Sequence, residues 1–269
     1  MDVKRPSSTA ERTALIRAIE SRKPDEERIC YDPYAVHFTN QEILEFAICN
    51  PARYNAKSEP GLANSVVARS RYFDDIVKAS LKEGIEQLVI IGAGYDARAY
   101  YIRGLKNINV FEVDHPNTQS LKLEKIKKIF GSIPHNVGYV PVDLEKDNLK
   151  ELLVENGYEK SRKTLFLMEG LIMYLSPAIV DKIMSFIAGS GRGNGVVFDY
   201  GTSKKTVDKP KSDSGKNIWN YTKKQGELLK FRMEEPVETF LGERGFCKIK
   251  NMTSGDYKKH ISMVKMKLE

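Results

Sequence analysis

The chain is 269 residues long, with 41% hydrophobic and 29% charged residues, which suits one large folded domain, or a domain with a cap, and excludes a disordered chain. Its 43 Lys and Arg against 36 Asp and Glu leave a formal net charge of +7, but the basic residues are scattered apart from an excess between Lys204 and Lys230, so nucleic acid is not an expected partner. No apolar run reaches the roughly 20 residues of a membrane span, and MDVKRPSSTAERTAL at the start lacks the apolar stretch of a secretory leader, so a cytoplasmic protein is expected.

In chain order, the first 84 residues read as helix and loop. Ala10, Ala14, Leu15, Ala18 and Ile19 keep one face of a first helix apolar. YDPYAVHF is a turn, NQEILEFAI is a short helix with Asn40 as its cap, and NPARYNAKSEPG is a loop. Residues 64–82 form a long helix with Val66, Phe73, Ile76, Val77 and Leu81 on one side and Gly84 to close it. The period then changes. Short apolar runs at 87–91, 108–113, 138–142, 164–168 and 195–199 alternate with helical stretches at 97–105, 116–130, 148–156 and 177–188. This alternation predicts a parallel sheet with crossover helices. A polar, Lys-rich stretch follows Tyr200, EEPVETFLGERGF is a helix with a glycine stop, and residues 247–252 and 261–268 form a final antiparallel pair of strands.

In an open sheet of this kind, ligands sit beyond the carboxyl ends of the strands. Gly92, Gly94 and Asp96 follow the first strand, Glu112 and Asp114 close the second, Asp143 the third, Glu169 the fourth, and Asp199 and Tyr200 the fifth. Each strand mouth therefore carries an acid. The turn Gly92-x-Gly94-x-x-Ala97, with Asp114 downstream, matches a relaxed dinucleotide pattern and keeps a nicotinamide-dependent oxidoreductase as an alternative. A pyrophosphate beside Asp96 would be repelled, however, by about 4 kcal/mol for a charge pair at about 4 Å and an effective dielectric near 20, unless Asp96 only caps the next helix. A ring of acids suits a ligand with a ribose, positive charge and little phosphate, and S-adenosylmethionine fits. Gly92 and Gly94 let backbone approach its methionine part. Asp114 can accept from both ribose hydroxyls. Asp143 can accept from the adenine amino group while the Leu144 amide donates to the ring. Glu169 can hold the ammonium, or simply pair with a local arginine. Asp96 and Glu112 complete the candidate cofactor set. The cofactor carboxylate needs a cation, for which Arg69 and Arg71 on the long helix are candidates, their alternative being exposure to solvent. Three separated cysteines and four scattered histidines show no metal-ligand spacing, so no metal is expected.

The segments ARSRYFDD, LVIIGAGYDARAYYI, VFEVDHP, YVPVDL and LFLMEGLIMYL, in that order and preceded by YDPYAVHF, resemble the leucine carboxyl methyltransferase family from about Thr13 to Tyr200. The resemblance implies an α/β class I methyltransferase (Rossmann-like) fold. Its sheet would have seven strands with the last antiparallel, a helical N-terminal cap would span 1–84, and a core would span 85–269 with a lid insertion at 202–232. It implies cofactor contacts at one of Arg69 and Arg71, and at Gly92, Asp114, Asp143, Leu144 and Glu169. The family also uses a basic residue on its first helix, for which Arg17 is the nearest candidate.

The expected activity is S-adenosylmethionine-dependent O-methyl transfer to a small-molecule or peptide acceptor. None of the histidines directly follows one of the five parallel strands as read here. An alcohol acceptor needs a general base and a carboxylate does not, so a carboxylate is favoured. No catalytic residue is assigned. Tyr174 and Tyr200 are acceptor-side candidates, or packing residues under the lid. The insertion carries Trp219 and Tyr221, and it alone supports the remaining alternative, a basic nucleic-acid-binding module.

Overall fold

The first helix begins where its sequence offers a cap. In the computed structural model, which describes residues 7–57, 61–202, 228–252 and 262–267, the Ser7 hydroxyl accepts the amide of Ala10 at the start of α1 (Ser8–Ser21). The helix buries Ala14, Leu15, Ile16 and Ala18. The Asp32-Pro33 turn runs into a 3-10 turn at Ala35–Phe38. Asn40 caps α2 (Gln41–Cys49) as expected, accepting from the Ile43 amide. The next stretch departs from its reading as a loop, because α3 (Pro51–Lys57) forms there. Pro51 occupies the first helical position, where no N–H is needed and the ring's fixed φ already suits a helix. Then α4 (Leu62–Lys82) follows Gly61, whose φ of +83° lets the chain turn into it.

Seven strands lie in the order β3-β2-β1-β4-β5-β7-β6. β1 (Gln87–Ile91), β2 (Asn109–Asp114), β3 (Val137–Pro141), β4 (Thr164–Met168) and β5 (Gly195–Tyr200) are parallel. β7 (Ser262–Lys267) runs antiparallel between β5 and β6 (Cys247–Met252). The connections carry α5 (Arg98–Tyr101), α6 (Pro116–Phe130), α7 (Leu149–Glu155) and α8 (Pro177–Ala188), while α9 (Val237–Gly242) precedes β6. The single helix expected at 97–105 is split. Ile102 is extended, and a 3-10 turn, Arg103–Asn107, follows. Gly104 in that turn packs so closely on α4 that an added Cβ would lie 2.8 Å from Leu81 Cδ1.

Successive strand side chains point to opposite faces, and two cores result. Val89, Ile91, Phe166 and Met168 pack with Leu153 of α7 and Ile183 of α8. Leu88, Ile90, Leu165 and Leu167 pack with Phe73 and Val77 of α4. Ala14 of α1 joins Phe38, Tyr95 and Ala97 in a smaller cluster against the first glycine turn, where the rings of Phe38 and Tyr95 stack with centroids 5.1 Å apart. Beyond the fifth strand, the Lys230 amide donates to the Met173 carbonyl and that of Met233 to Gly201, both at 2.8 Å. Trp219 and Tyr221 lie outside the described residues. No helix among the described residues is long and apolar enough to cross a membrane.

Candidate functional site

The turn after β1 holds Gly92 at φ +73° and Gly94 at φ +45°, a region that L side chains rarely adopt. A Cβ on Gly92 would also stand 2.7 Å from Leu171 Cδ1. The Gly92 and Ala93 amides donate to the Val113 carbonyl at 2.8 and 3.0 Å, and the Gly94 amide donates to Asp114 Oδ2 at 2.5 Å. Asp114 Oδ1 accepts the His115 amide at 2.6 Å. The end of β2 is thus stitched to the glycine turn. Burial pushes the Asp114 carboxyl up, and the amides of Gly94 and His115 oppose it.

The acid at the lip of this turn has a local purpose. Asp96 Oδ1 accepts the Arg98 amide at 2.8 Å, and Oδ2 pairs with the Arg98 guanidinium. Arg98 is 3% exposed, and its guanidinium also reaches Asp74 through Nε at 2.7 Å and Glu169 Oε2 at 2.7 Å. Arg69 donates through Nε to Glu169 Oε1 at 2.9 Å and through its terminal nitrogen to Asp199 at 2.8 Å. The Gly170 amide takes the other Asp199 oxygen at 2.5 Å. Arg17 donates to Asp32 at 3.0 Å and to the Tyr95 carbonyl at 2.7 Å, which clamps α1 to the glycine turn. Three guanidiniums therefore face five carboxylates, a formal excess of two negative charges. Burial favours protonation of Glu169, but Arg98, Arg69 and Arg17 outweigh it and bring its carboxyl down to about 2. Burial wins at Asp199, which is raised despite Arg69.

The remaining candidates divide. Arg71 turns outward and pairs with Asp75 at 2.9 Å, because two residues along a helix swing a side chain about 200° round the axis. Of the two helix arginines, only Arg69 enters the cluster. Glu112 is fully buried against Lys122 of α6 at 2.6 Å, so its carboxylate presents no surface to a ligand. Asp143 sits in a tight turn, taking Lys146 at 2.6 Å, and this bond lowers its carboxyl. Leu144 packs on the core beside it. Tyr174 is half-buried. Tyr200 is buried, and its hydroxyl donates to Asn251 of β6 at 3.3 Å. β2 ends one residue later than expected, so His115 does follow a parallel strand directly. Its Nδ1 accepts the Asn117 amide at 3.3 Å as the cap of α6.

Arg98, Asp32 and Asp74 were not legible as site residues. The signal for Arg98 was its place two residues after an acid on the glycine turn. Asp32 lay within the YDPYAVHF turn. Asp74 looked like any polar position on a helix. A cleft of about 510 Å³ lined by Asp181, Phe231, Phe240 and Arg244 takes in none of the strand-end acids.

Comparison with known proteins bears on this geometry. The family profile of leucine carboxyl methyltransferases matches residues 10–188. YktD of Bacillus subtilis, provisionally assigned as an S-adenosyl-L-methionine-dependent methyltransferase, is 28% identical over 229 residues, spanning 82% of this chain and 74% of its own. A provisionally assigned S-adenosyl-L-methionine-dependent methyltransferase of Mycolicibacterium paratuberculosis is 27% identical over 208 residues, spanning 75% of this chain and 68% of its own. In fold, the chain is similar to a crystal structure of a provisionally assigned methyltransferase from Thermobifida fusca. The TM-score is 0.65 at 14% identity, covering 100% of this chain and 97% of that one.

Proposed function

Since the chain belongs to the leucine carboxyl methyltransferase family and is an S-adenosylmethionine-dependent methyltransferase, we propose that it methylates an oxygen, that of a carboxylate on a small molecule or peptide. Membership displaces the nicotinamide and nucleic-acid alternatives. When bound, S-adenosylmethionine supplies an electrophilic methyl on a cationic sulfur, and the protein's task is then mainly alignment.

The observation that carries the cofactor reading is the excess of negative charge in the buried cluster that joins the strand ends to α1, α4 and the Asp32 turn. Five carboxylates against three guanidiniums suit a ligand bearing a sulfonium and an ammonium. The same excess would repel a pyrophosphate. In this reading Asp114 accepts from the ribose hydroxyls, Asp143 and the Leu144 amide take the adenine, and Glu169 takes the ammonium. Arg69, with Arg17, takes the carboxylate, and Gly92 and Gly94 admit the chain between them. Arg71 faces solvent, Glu112 is fully buried against Lys122 and Asp96 serves to hold Arg98, so none of the three is assigned to the cofactor. Residues 1–84 serve as the cap and 85–269 as the core, with Tyr174 on the acceptor side; the 202–232 insertion assigned as the lid lies mostly outside the described residues.

His115 supports a carboxylate acceptor over an alcohol. With Nδ1 accepting a backbone N–H, the neutral ring carries its proton on Nε2 and has no free lone pair to act as a base. A carboxylate is already a nucleophile. The test is incubation with methyl-labelled S-adenosylmethionine and cell extract, followed by mild alkali. Label released as methanol from a modified product is the expected result; an alkali-stable ether or amine overturns the carboxylate reading.

A further inference from the structure

Glu169 is gripped from two sides by arginines of different elements. Arg69 of α4 and the Ser70 hydroxyl take Oε1 at 2.9 and 3.1 Å, and Arg98 takes Oε2 at 2.7 Å. Arg69 has a second obligation, to Asp199 of β5, and the proposed reading asks it to meet a ligand carboxylate as well. Arg98 has no such conflict. All three of its nitrogens are engaged, by Asp74 of α4, Asp96 of the glycine turn, Glu169 after β4 and the Ser70 carbonyl at 3.2 Å. The Tyr101 hydroxyl donates to Asp74 as well, at 3.0 Å to the oxygen Arg98 takes and 3.2 Å to the other. Burying such a group is no route to stability in itself, since well-packed apolar residues do as well or better. What the arrangement achieves is registry, because one rigid planar guanidinium ties the long helix, the glycine turn and the β4 end together through a carboxylate on each.

We infer that Arg98 is a positioning residue for cofactor binding: it keeps the Glu169 carboxylate turned to the amino-acid end of the ligand when Arg69 is drawn to the ligand's own carboxylate. The inference rests on the proposed assignment of Glu169 to the ammonium. Arg98 itself touches neither the reacting atoms nor the ligand. Asp96 belongs to the same device, since it fixes Arg98 through both its amide and its guanidinium.

Two probes separate this role from general support of the fold. S-adenosylhomocysteine carries the amino-acid end; 5′-methylthioadenosine has the same nucleoside without it. Calorimetric titration of the full chain with each should show Arg98→Gln binding S-adenosylhomocysteine about tenfold or more weakly, the size expected for a disturbed charged hydrogen bond, with methylthioadenosine within about twofold. Arg98→Lys should recover only part of the loss, because a point charge cannot span three carboxylates. Should Arg98→Gln not fold, Asp96→Asn, which keeps the arginine, should give the same selective loss at smaller size. Equal weakening of both probes, or no change in either, overturns the inference while leaving the cofactor reading intact. A wild-type protein that binds neither probe overturns both.

Discussion

At the scale of single residues, two carboxylates carry the most testable chemistry. Glu169 is held at about 2, below the roughly 4.3 of a free glutamate. A carboxyl depressed on folding adds stability that is whole above the unfolded value and lost as pH falls toward the folded one. Its contribution, on the order of 3 kcal/mol, should therefore fade between about pH 4.3 and 2. Asp199, raised by burial, works in the opposite sense, so the informative quantity is a difference. The gap in urea midpoint between wild type and Glu169→Gln should be widest near pH 7 and narrow as the pH is lowered to 3. A gap constant across that range would mean that the arginines do not favour the ionised form. Asp114 accepts the amides of Gly94 and His115 and is the proposed ribose acceptor. Asp114→Ala should weaken S-adenosylhomocysteine by about ten- to a hundredfold in calorimetry, the range for loss of hydrogen bonds to a charged group. Of the residues named at the strand mouths, the sequence distinguished acids from their surroundings but not what each acid faces. Asp96 meets Arg98, Glu112 meets Lys122 and Glu169 meets two arginines, and those partners are 2 to 100 positions away.

At the scale of elements, the joint between β2 and α6 is the clearest case of chemistry hidden under a helix. Glu112 and Lys122 are 0% and 1% exposed and 2.6 Å apart. Tyr100 approaches the other Glu112 oxygen at 3.3 Å and meets the Tyr139 hydroxyl. Lys122→Met should cost about 3–5 kcal/mol, because it strands a buried carboxylate. Replacing both partners with apolar residues should restore most of that loss. Thermal and urea unfolding of the single and double variants check this, and a double variant as unstable as the single one would show that the pair contributes more than its own neutralisation. Legibility here followed local information. Asn40 capped α2 and the β1 and β4 runs held their limits, since caps and apolar runs are written in neighbouring residues. Residues 51–57, read as a loop for their Pro and Asn, became a helix through proline's preference for a helix start. Residues 97–105 split where the chain had to pack on Leu81 of α4.

At the scale of the molecule, the N-terminal helices and the sheet are not separable by stability. Phe73 and Val77 of α4 share a core with Leu88, Ile90 and Leu165, and burial of each such side chain contributes roughly 1.5–3 kcal/mol against a net stability of about 5–15 kcal/mol for a domain. Residues 85–269 expressed alone should fail to give a soluble protein with a cooperative unfolding transition, whereas the full chain should give one; a well-folded fragment would mean that α4 only rests on the sheet. The succession of parallel strands along the chain, the glycine turn and an acid at each strand mouth were determined by the sequence alone. They arise from periodicity and from residue types whose backbone preferences act locally. Which arginine of the Arg69/Arg71 pair turns inward, that Arg98 joins three carboxylates, and that Asp32 secures Arg17 were decided only by the tertiary structure. An ion pair's partner is chosen by which elements the fold brings within about 3 Å, and no spacing along the chain encodes that distance.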